Sequence, residues 1–282
     1  VKLSVVTAMC GRPEITCRFL EETAARCTTD PELVIVNNGS ADEEMEQVAL
    51  RALALGLAPQ AHTLAKAPQT EGSIRAFNFG ARCATGDVLA MLHNDVLVRE
   101  EGWDRRLLEF VSGQARAGIV GFHGAQGLGA LDIYRTPYRL EQLARWNCWS
   151  NLEDWEAHGN HAEAALPVAV VDGLAICCWR ADLLAWGGLD EGLGPHHMYD
   201  NDICLTALAA GRTNYVLPIL ARHLSGQTAN YPRHNEAFVH LGGDAGIHRT
   251  AHARFYEKWR GRLPVYVGQS AEETAWWRMQ GR

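Results

Sequence analysis

Short apolar runs alternate with helix-length amphipathic stretches through the first third of the chain. Leu3 to Ala8, Leu33 to Val36 and Val88 to Leu92 are nearly continuous apolar runs of strand length, and helical spacing falls near Pro13 to Cys27, Asp42 to Leu55 and Ser73 to Ala84. This βαβαβ rhythm predicts a parallel sheet covered by helices. Ligands of such sheets sit beyond the carboxyl ends of the strands, so the loops after Val36 and after Leu92 are the first places to expect chemistry. From about Gly124 to Pro167 the pattern loosens into a long excursion, glycine-rich at Gly124 to Gly129 and then aromatic, with Tyr134, Tyr138, Trp146, Trp149 and Trp155. Long excursions of this kind serve as binding loops or lids, although packing against the sheet suffices to explain most of the aromatics. Order resumes with Val168 to Trp179 as an apolar strand, Ala181 to Trp186 and Asn201 to Ala210 as helices, Asn214 to Leu217 as a strand and Ala251 to Trp259 as a helix.

Composition narrows the class. The 282 residues carry 47% hydrophobic and 21% charged side chains, ordinary for a globular protein, and no apolar run reaches the ~18 residues a membrane span needs. With 26 basic against 33 acidic residues the net charge is −7, which argues against general nucleic-acid binding. The opening residues lack a basic stretch followed by an apolar one, so a cytoplasmic location is expected. Eight cysteines contain no C-x-x-C pair, and Cys177-Cys178 lie in an apolar run, which reads as buried reduced thiols.

Candidate chemistry gathers at the strand ends. Neither Gly124 to Gly129 nor the loop Ala8 to Pro13 fits G-x-G-x-x-G, which disfavours a dinucleotide dehydrogenase. Asn37 ends the second strand, where its amide is placed to read a base edge; Asn38-Gly39 equally reads as a turn, with Ser40 or Asp42 as a helix cap. His93-Asn94-Asp95 follows the third apolar strand and offers an imidazole and a carboxylate, the oxygen donor that Mg2+ or Mn2+ prefers; taken alone, an Asp there is more often a turn or cap residue. Asp200 and Asp202 precede a helix and could cap it, bind metal or act as a general base, with at least one expected to cap. His223 lies just past another strand, within reach of the same edge.

In their order these segments resemble the family 2 glycosyltransferases of the GT-A fold, across roughly residues 2 to 226. Thr7 in the first strand, with Arg12-Pro13-Glu14 after it, looks like the family's opening strand and loop. Val34 to Ser40 looks like its V-D-N-G-S turn, and Gly72, Arg75, Asn78, Gly80, Ala84 and Gly86-Asp87 follow its next conserved stretch. His93-Asn94-Asp95 falls on the D-x-D position, Gly187 to Glu191 on G-G-F-D-E, and Tyr199 to Ile203 on E-D-x-D-L. Three departures stand out: Asn37 replaces an aspartate, Asp95 is the only carboxylate of its motif, and Tyr199 and Thr206 replace a glutamate and an arginine around the base position.

The resemblance implies an α/β GT-A (nucleotide-diphospho-sugar transferase) fold with a mixed, mainly parallel central sheet flanked by helices. It implies one catalytic domain over residues 1–265, with a nucleotide-binding half (1–98), an acceptor and catalytic half (99–230) and a closing helix region (231–265), then a tail over 266–282. The implied reaction is metal-dependent transfer of a sugar from a UDP-, GDP- or dTDP-linked donor to an acceptor hydroxyl, with inversion. Asp200 would be the base, and Asp95 with His223 would hold Mn2+ or Mg2+. Thr7, Arg12, Asn37, Gly39, Arg75, Asn78, His93 and Asn94 would contact the donor. Trp146, Trp149, Asp172, Gly173 and Tyr199 are the acceptor candidates, the tryptophans because apolar sugar faces stack on aromatic rings; Arg249 and Arg254 are candidates for a phosphate clamp. No nucleic-acid partner is expected, and a homo-oligomer is left open. Trp276-Trp277 would pack on a partner subunit, touch a membrane periphery or dock within the chain. The alternatives are a metal-dependent nucleotidyltransferase, for which Met9 to Pro13 makes a poor triphosphate loop, and a non-catalytic sugar-nucleotide-binding protein.

Overall fold

The computed structural model describes residues 1–129, 145–227 and 231–268, and of the tail only positions 272 and 275. Tyr134, Tyr138 and Trp276-Trp277 lie outside the described residues. In chain order the strands are β1 (Leu3–Met9), β2 (Glu32–Ser40), β3 (Gln60–Lys66), β4 (Val88–Leu92), β5 (Val96–Val98), β6 (Ala117–Gly121), β7 (His123–Leu128), β8 (Arg145–Ser150), β9 (Asn160–His161), β10 (Leu166–Val168), β11 (Val170–Val171), β12 (Ala175–Trp179), β13 (Thr213–Val216), β14 (Ala221–His223) and β15 (Val265–Tyr266). The helices are α1 (Pro13–Arg26), α2 (Asp42–Ala54), α3 (Gly72–Cys83), α4 (Trp103–Gly113), α5 (Arg180–Ala185), α6 (Tyr199–Ala209), α7 (Pro232–Ala237) and α8 (Gly243–Trp259).

Eight strands form the central sheet in the order β10-β13-β6-β12-β4-β1-β2-β3. The β4-β1-β2-β3 run and the β13-β6 pair are parallel, whereas β12 runs antiparallel to both of its neighbours and β10 to β13. Side chains alternate across this sheet with the two-residue period of a strand. Val88, Ala90 and Leu92 of β4 join Phe19, Leu20, Val48 and Leu107 of α1, α2 and α4 on one side. Leu89 and Met91 join Phe77, Leu183, Ile203 and Phe255 of α3, α5, α6 and α8 on the other. Both faces are covered, which is why the strands read as continuous apolar runs. Truncating a fully buried member such as Met91 to alanine would cost about 2–5 kcal/mol.

The apolar run at 168–179 is not one strand. Asp172-Gly173 breaks it, so that β11 ends a second sheet ordered β11-β7-β8-β9, with β15 on β7, while β12 enters the central one. The loosely patterned excursion supplies β7, β8 and β9 of that second sheet. Cys177 and Cys178 belong to opposite core layers, all eight cysteines are free thiols, and burial pushes the Cys178 thiol up to about 12. The expected aspartate cap on α6 is absent: Met198 stands at the N-cap with φ 61°, and Asp200 and Asp202 lie inside the first turn. Among the described residues no helix is long and apolar enough to cross a membrane.

Candidate functional site

A cleft of about 790 Å3 opens at the carboxyl ends of β1 and β4. Leu92 hands the chain to His93-Asn94-Asp95, after which β5 begins at Val96 and pairs antiparallel with β14. That register sets His223 against Val96 and so beside Asp95, with Nε2 3.4 Å from Oδ1. His93 joins them: the ligand-capable atoms of His93, Asp95 and His223 all lie within 4.8 Å of one another. His93 stacks on Phe77 at 5.8 Å and shares a 2.8 Å hydrogen bond with the Tyr199 hydroxyl.

The electrostatics suit a cation. Burial lowers the His93 pKa and outweighs the nearby carboxylates, which favours the neutral imidazole a metal requires. Asp95 feels burial that would raise it, yet the His223 hydrogen bond and both imidazoles bring it below the usual carboxylate range. His223 is raised despite burial, because Asp95 accepts its hydrogen bond and Asp95, Asp172 and Asp154 add negative potential. A metal must displace the proton that Asp95 stabilises on His223; once it does, one carboxylate and two imidazoles fit a divalent ion.

A second charged group faces the same cleft. Asp200 and Asp202 are two positions apart, roughly 200° around a helix, so they point to different sides. Asp202 accepts from the Trp259 indole at 2.7 Å and from Lys258, tying α6 to α8. Asp200 lines the cleft, where its Oδ2 accepts from Arg145 at 2.7 Å and from the Gly173 amide at 3.1 Å. Arg145 also donates to Asp172 at 2.9 Å and to Asn201. Asp172 is half-buried, and desolvation would raise its pKa, but the Arg145 guanidinium and then His123 hold it well below the usual range. Gly173 must be glycine: a Cβ there would stand 2.6 Å from the Tyr199 hydroxyl. Arg145 was not among the sequence candidates, since its partners lie 27 and 55 positions away and no local pattern marks it.

Of the residues expected at the site, His93, Asn94, Asp95, Asp172, Gly173, Tyr199, Asp200 and His223 all line the cleft. The others are placed elsewhere. Thr7 donates to the Leu92 carbonyl at 2.8 Å and joins β1 to β4. Asn37 is buried and accepts from the Ser40 amide at 2.8 Å, so its amide closes its own turn instead of facing the crevice. Gly39 sits in that turn at φ 121°. Its neighbour Asn38 reaches the cleft wall but bonds Gly72 and Glu71. Arg12 caps α1 and contacts the Gln227 carbonyl at 3.3 Å. Arg75 pairs with Glu71 and Glu191 on the surface, and Asn78 holds both backbone groups of Leu189. Trp149 packs on the core beside β7, Trp146 lies against Gly127, and neither lines the cleft. Arg249 and Arg254 are exposed, Arg254 bonding the Gly192 carbonyl. Neither is among the residues lining the cleft, which α8 reaches with Asp244 and His248.

The glycosyl transferase family 2 model matches residues 4–160, more than half of the chain. The chain belongs to glycosyl transferase family 2. This family 2 chain is similar in fold to three solved glycosyltransferase structures. One is the mannosyltransferase PcManGT from Pyrobaculum calidifontis in complex with GDP-Man and Mn2+, 16% identical, with 90% of this chain and 69% of that one covered and a TM-score of 0.57. Another is GalNAc-T7 with UDP, GalNAc and Mn2+, 16% identical, covering 86% and 48% at a TM-score of 0.59. The third is S. aureus TarS, 13% identical, covering 92% and 43% at 0.52. The chain thus spans less than half the length of the last two. No curated protein matches it in sequence. At these identities the solved structures show the fold, which is the GT-A arrangement expected from the strand and motif order.

Proposed function

We propose that this family 2 enzyme transfers a hexosyl group from a nucleoside diphosphate sugar to an acceptor hydroxyl, with inversion at the anomeric carbon. The observation that carries the reading is the convergence of Asp95, His223 and His93 in one cleft with Asp200, at the carboxyl ends of the parallel strands. Asp95 and His223 would hold Mn2+ or Mg2+, with His93 beside them. Bound there, the ion supplies Lewis-acid neutralisation of the charge that develops on the departing diphosphate. Mn2+ accompanies the nucleotide or nucleotide sugar in two of the similar structures.

The remaining steps fall to the chain itself. Arg145 and the Gly173 amide hold Oδ2 of Asp200, which orients the carboxylate. The acceptor's proton then passes to Oδ1. Asp172, Gly173 and Tyr199 form the acceptor wall, with the Tyr199 hydroxyl fixed by His93. The side chain of Asn37 is engaged in its own turn, so base selection among UDP-, GDP- and dTDP-linked donors falls to other groups of the 1–98 half.

The test is a panel of nucleotide sugars incubated with Mn2+ and simple acceptor glycosides, with release of nucleoside diphosphate and the anomeric configuration of the product followed by NMR. One donor should turn over only with metal and give the inverted product. Retention of configuration, or no turnover of any donor that calorimetry shows to bind, would sink the reading.

A further inference from the structure

We propose that His196, His197 and Asp244 form a second metal site, of zinc type, on the wall of the same cleft and sharing no residue with Asp95, His93 or His223. The segment Pro195 to Met198 leads straight into α6, and Asp244 lies in the first turn of α8. His196 Nε2 stands 3.1 Å and His197 Nε2 2.7 Å from the same oxygen, Oδ1 of Asp244. The candidate ligand atoms all fall within 4.8 Å of one another. A tetrahedron with bonds of ~2.0–2.1 Å has edges of about 3.3 Å, so small side-chain rotations would bring all three onto one ion.

Two imidazoles and one carboxylate accept zinc, whereas Mg2+ prefers an all-oxygen shell; the His93–Asp95–His223 group offers the same donor types, so variants and not donor type separate the two sites. His248, one turn beyond Asp244, packs its ring 4.6 Å from that of His197 and backs the cluster. His197 and Met198 both hold left-handed φ angles, 72° and 61°, an uncommon pairing for side-chain-bearing residues that turns the two imidazoles toward α8. Three protein ligands leave a fourth position, and all three residues line the cleft. Such an ion would pin the segment carrying Tyr199 and Asp200 against α8.

The experiment uses the untagged chain, stripped with chelator and dialysed against Zn2+ in excess Mg2+, with bound zinc counted by elemental analysis. The Asp95→Asn variant silences the first site, and no sugar donor is present, so the outcome is independent of the transfer reaction. Asp95→Asn should retain one zinc per chain. Adding Asp244→Asn, a half-exposed and isosteric change, should weaken that binding at least tenfold, and adding His196→Ala with His197→Ala should do the same, each with an unchanged circular dichroism spectrum. Absence of stoichiometric zinc in Asp95→Asn, or zinc retained at full affinity when Asp244→Asn is added, would overturn the proposal.

Discussion

Two carboxylates, Glu32 and Asp200, sit at opposite ends of the central sheet, and they are satisfied in opposite ways. Glu32, at the amino end of β2, accepts from the Ser4 hydroxyl, from the Thr85 amide at 2.7 Å and hydroxyl at 2.8 Å, and from Gln60 at 2.8 Å. Burial would raise its pKa, but the Ser4 and Thr85 hydrogen bonds bring it down to about 2. Asp200, at the carboxyl end, is held instead by a guanidinium that it shares with Asp172. Neutral donors at one end fix a joint between strands, whereas at the other end a mobile charge is balanced by a charge and exposed to a cleft. The same chemical group braces strands where dipoles of the fold surround it, and at the cleft, where it is the proposed base, one long cationic side chain balances it.

The comparison can be broken from either end. Asp200→Asn should have the largest effect, a loss of about 10²- to 10⁴-fold in kcat with donor affinity retained, since only the proton acceptor is removed. Near wild-type transfer by that variant would remove Asp200 from its role. Arg145→Met comes next: it leaves two carboxylates facing each other without their cation, so kcat/KM for the acceptor should fall about 10- to 100-fold. The acid limb of the pH–rate profile should move to higher pH, because Asp172 loses the guanidinium that holds its carboxyl down. An unshifted profile would mean that Arg145 only braces the fold.

Glu32→Gln should be the smallest in activity and visible only in stability, costing about 1–3 kcal/mol as buried donors lose an ionised acceptor. Its sign against pH follows from a lowered folded pKa. The Glu32 contribution is present above the ordinary carboxylate value and lost as pH falls from about 4.5 toward about 2. Denaturation of wild type should therefore show a slope in that window which the variant lacks. Equal slopes would contradict the contrast drawn here.

Much of this architecture was legible because both sheet faces are buried: β1, β4, α1, α2 and α3 follow directly from apolar runs and helical spacing. β3 was not, since Gln60 to Lys66 is a half-exposed edge strand without a clean alternation. β7 was not either, because His-Gly-Ala-Gln-Gly-Leu has poor strand propensity, and its pairing with β8 and β11 decides its conformation. The break at Asp172-Gly173 carried a turn signal inside an apolar run that length alone obscured. In the site, Asp95, Asp200 and His223 stood out by following apolar runs or preceding a helix. Arg145 and the His196–His197–Asp244 group depend on contacts between segments far apart in the chain, which no local spacing encodes.

In the proposed reaction Asp95 and His223 couple a metal to donor binding. Calorimetry of a nucleoside diphosphate at pH 7.5, with and without Mn2+, tests it most directly in wild type and in Asp95→Asn. Binding should be at least tenfold tighter with Mn2+ in wild type, a gain that shrinks as acid protonates His223 and that is absent in Asp95→Asn. Equal affinity with and without Mn2+ in wild type, or an undiminished gain in Asp95→Asn, would contradict it.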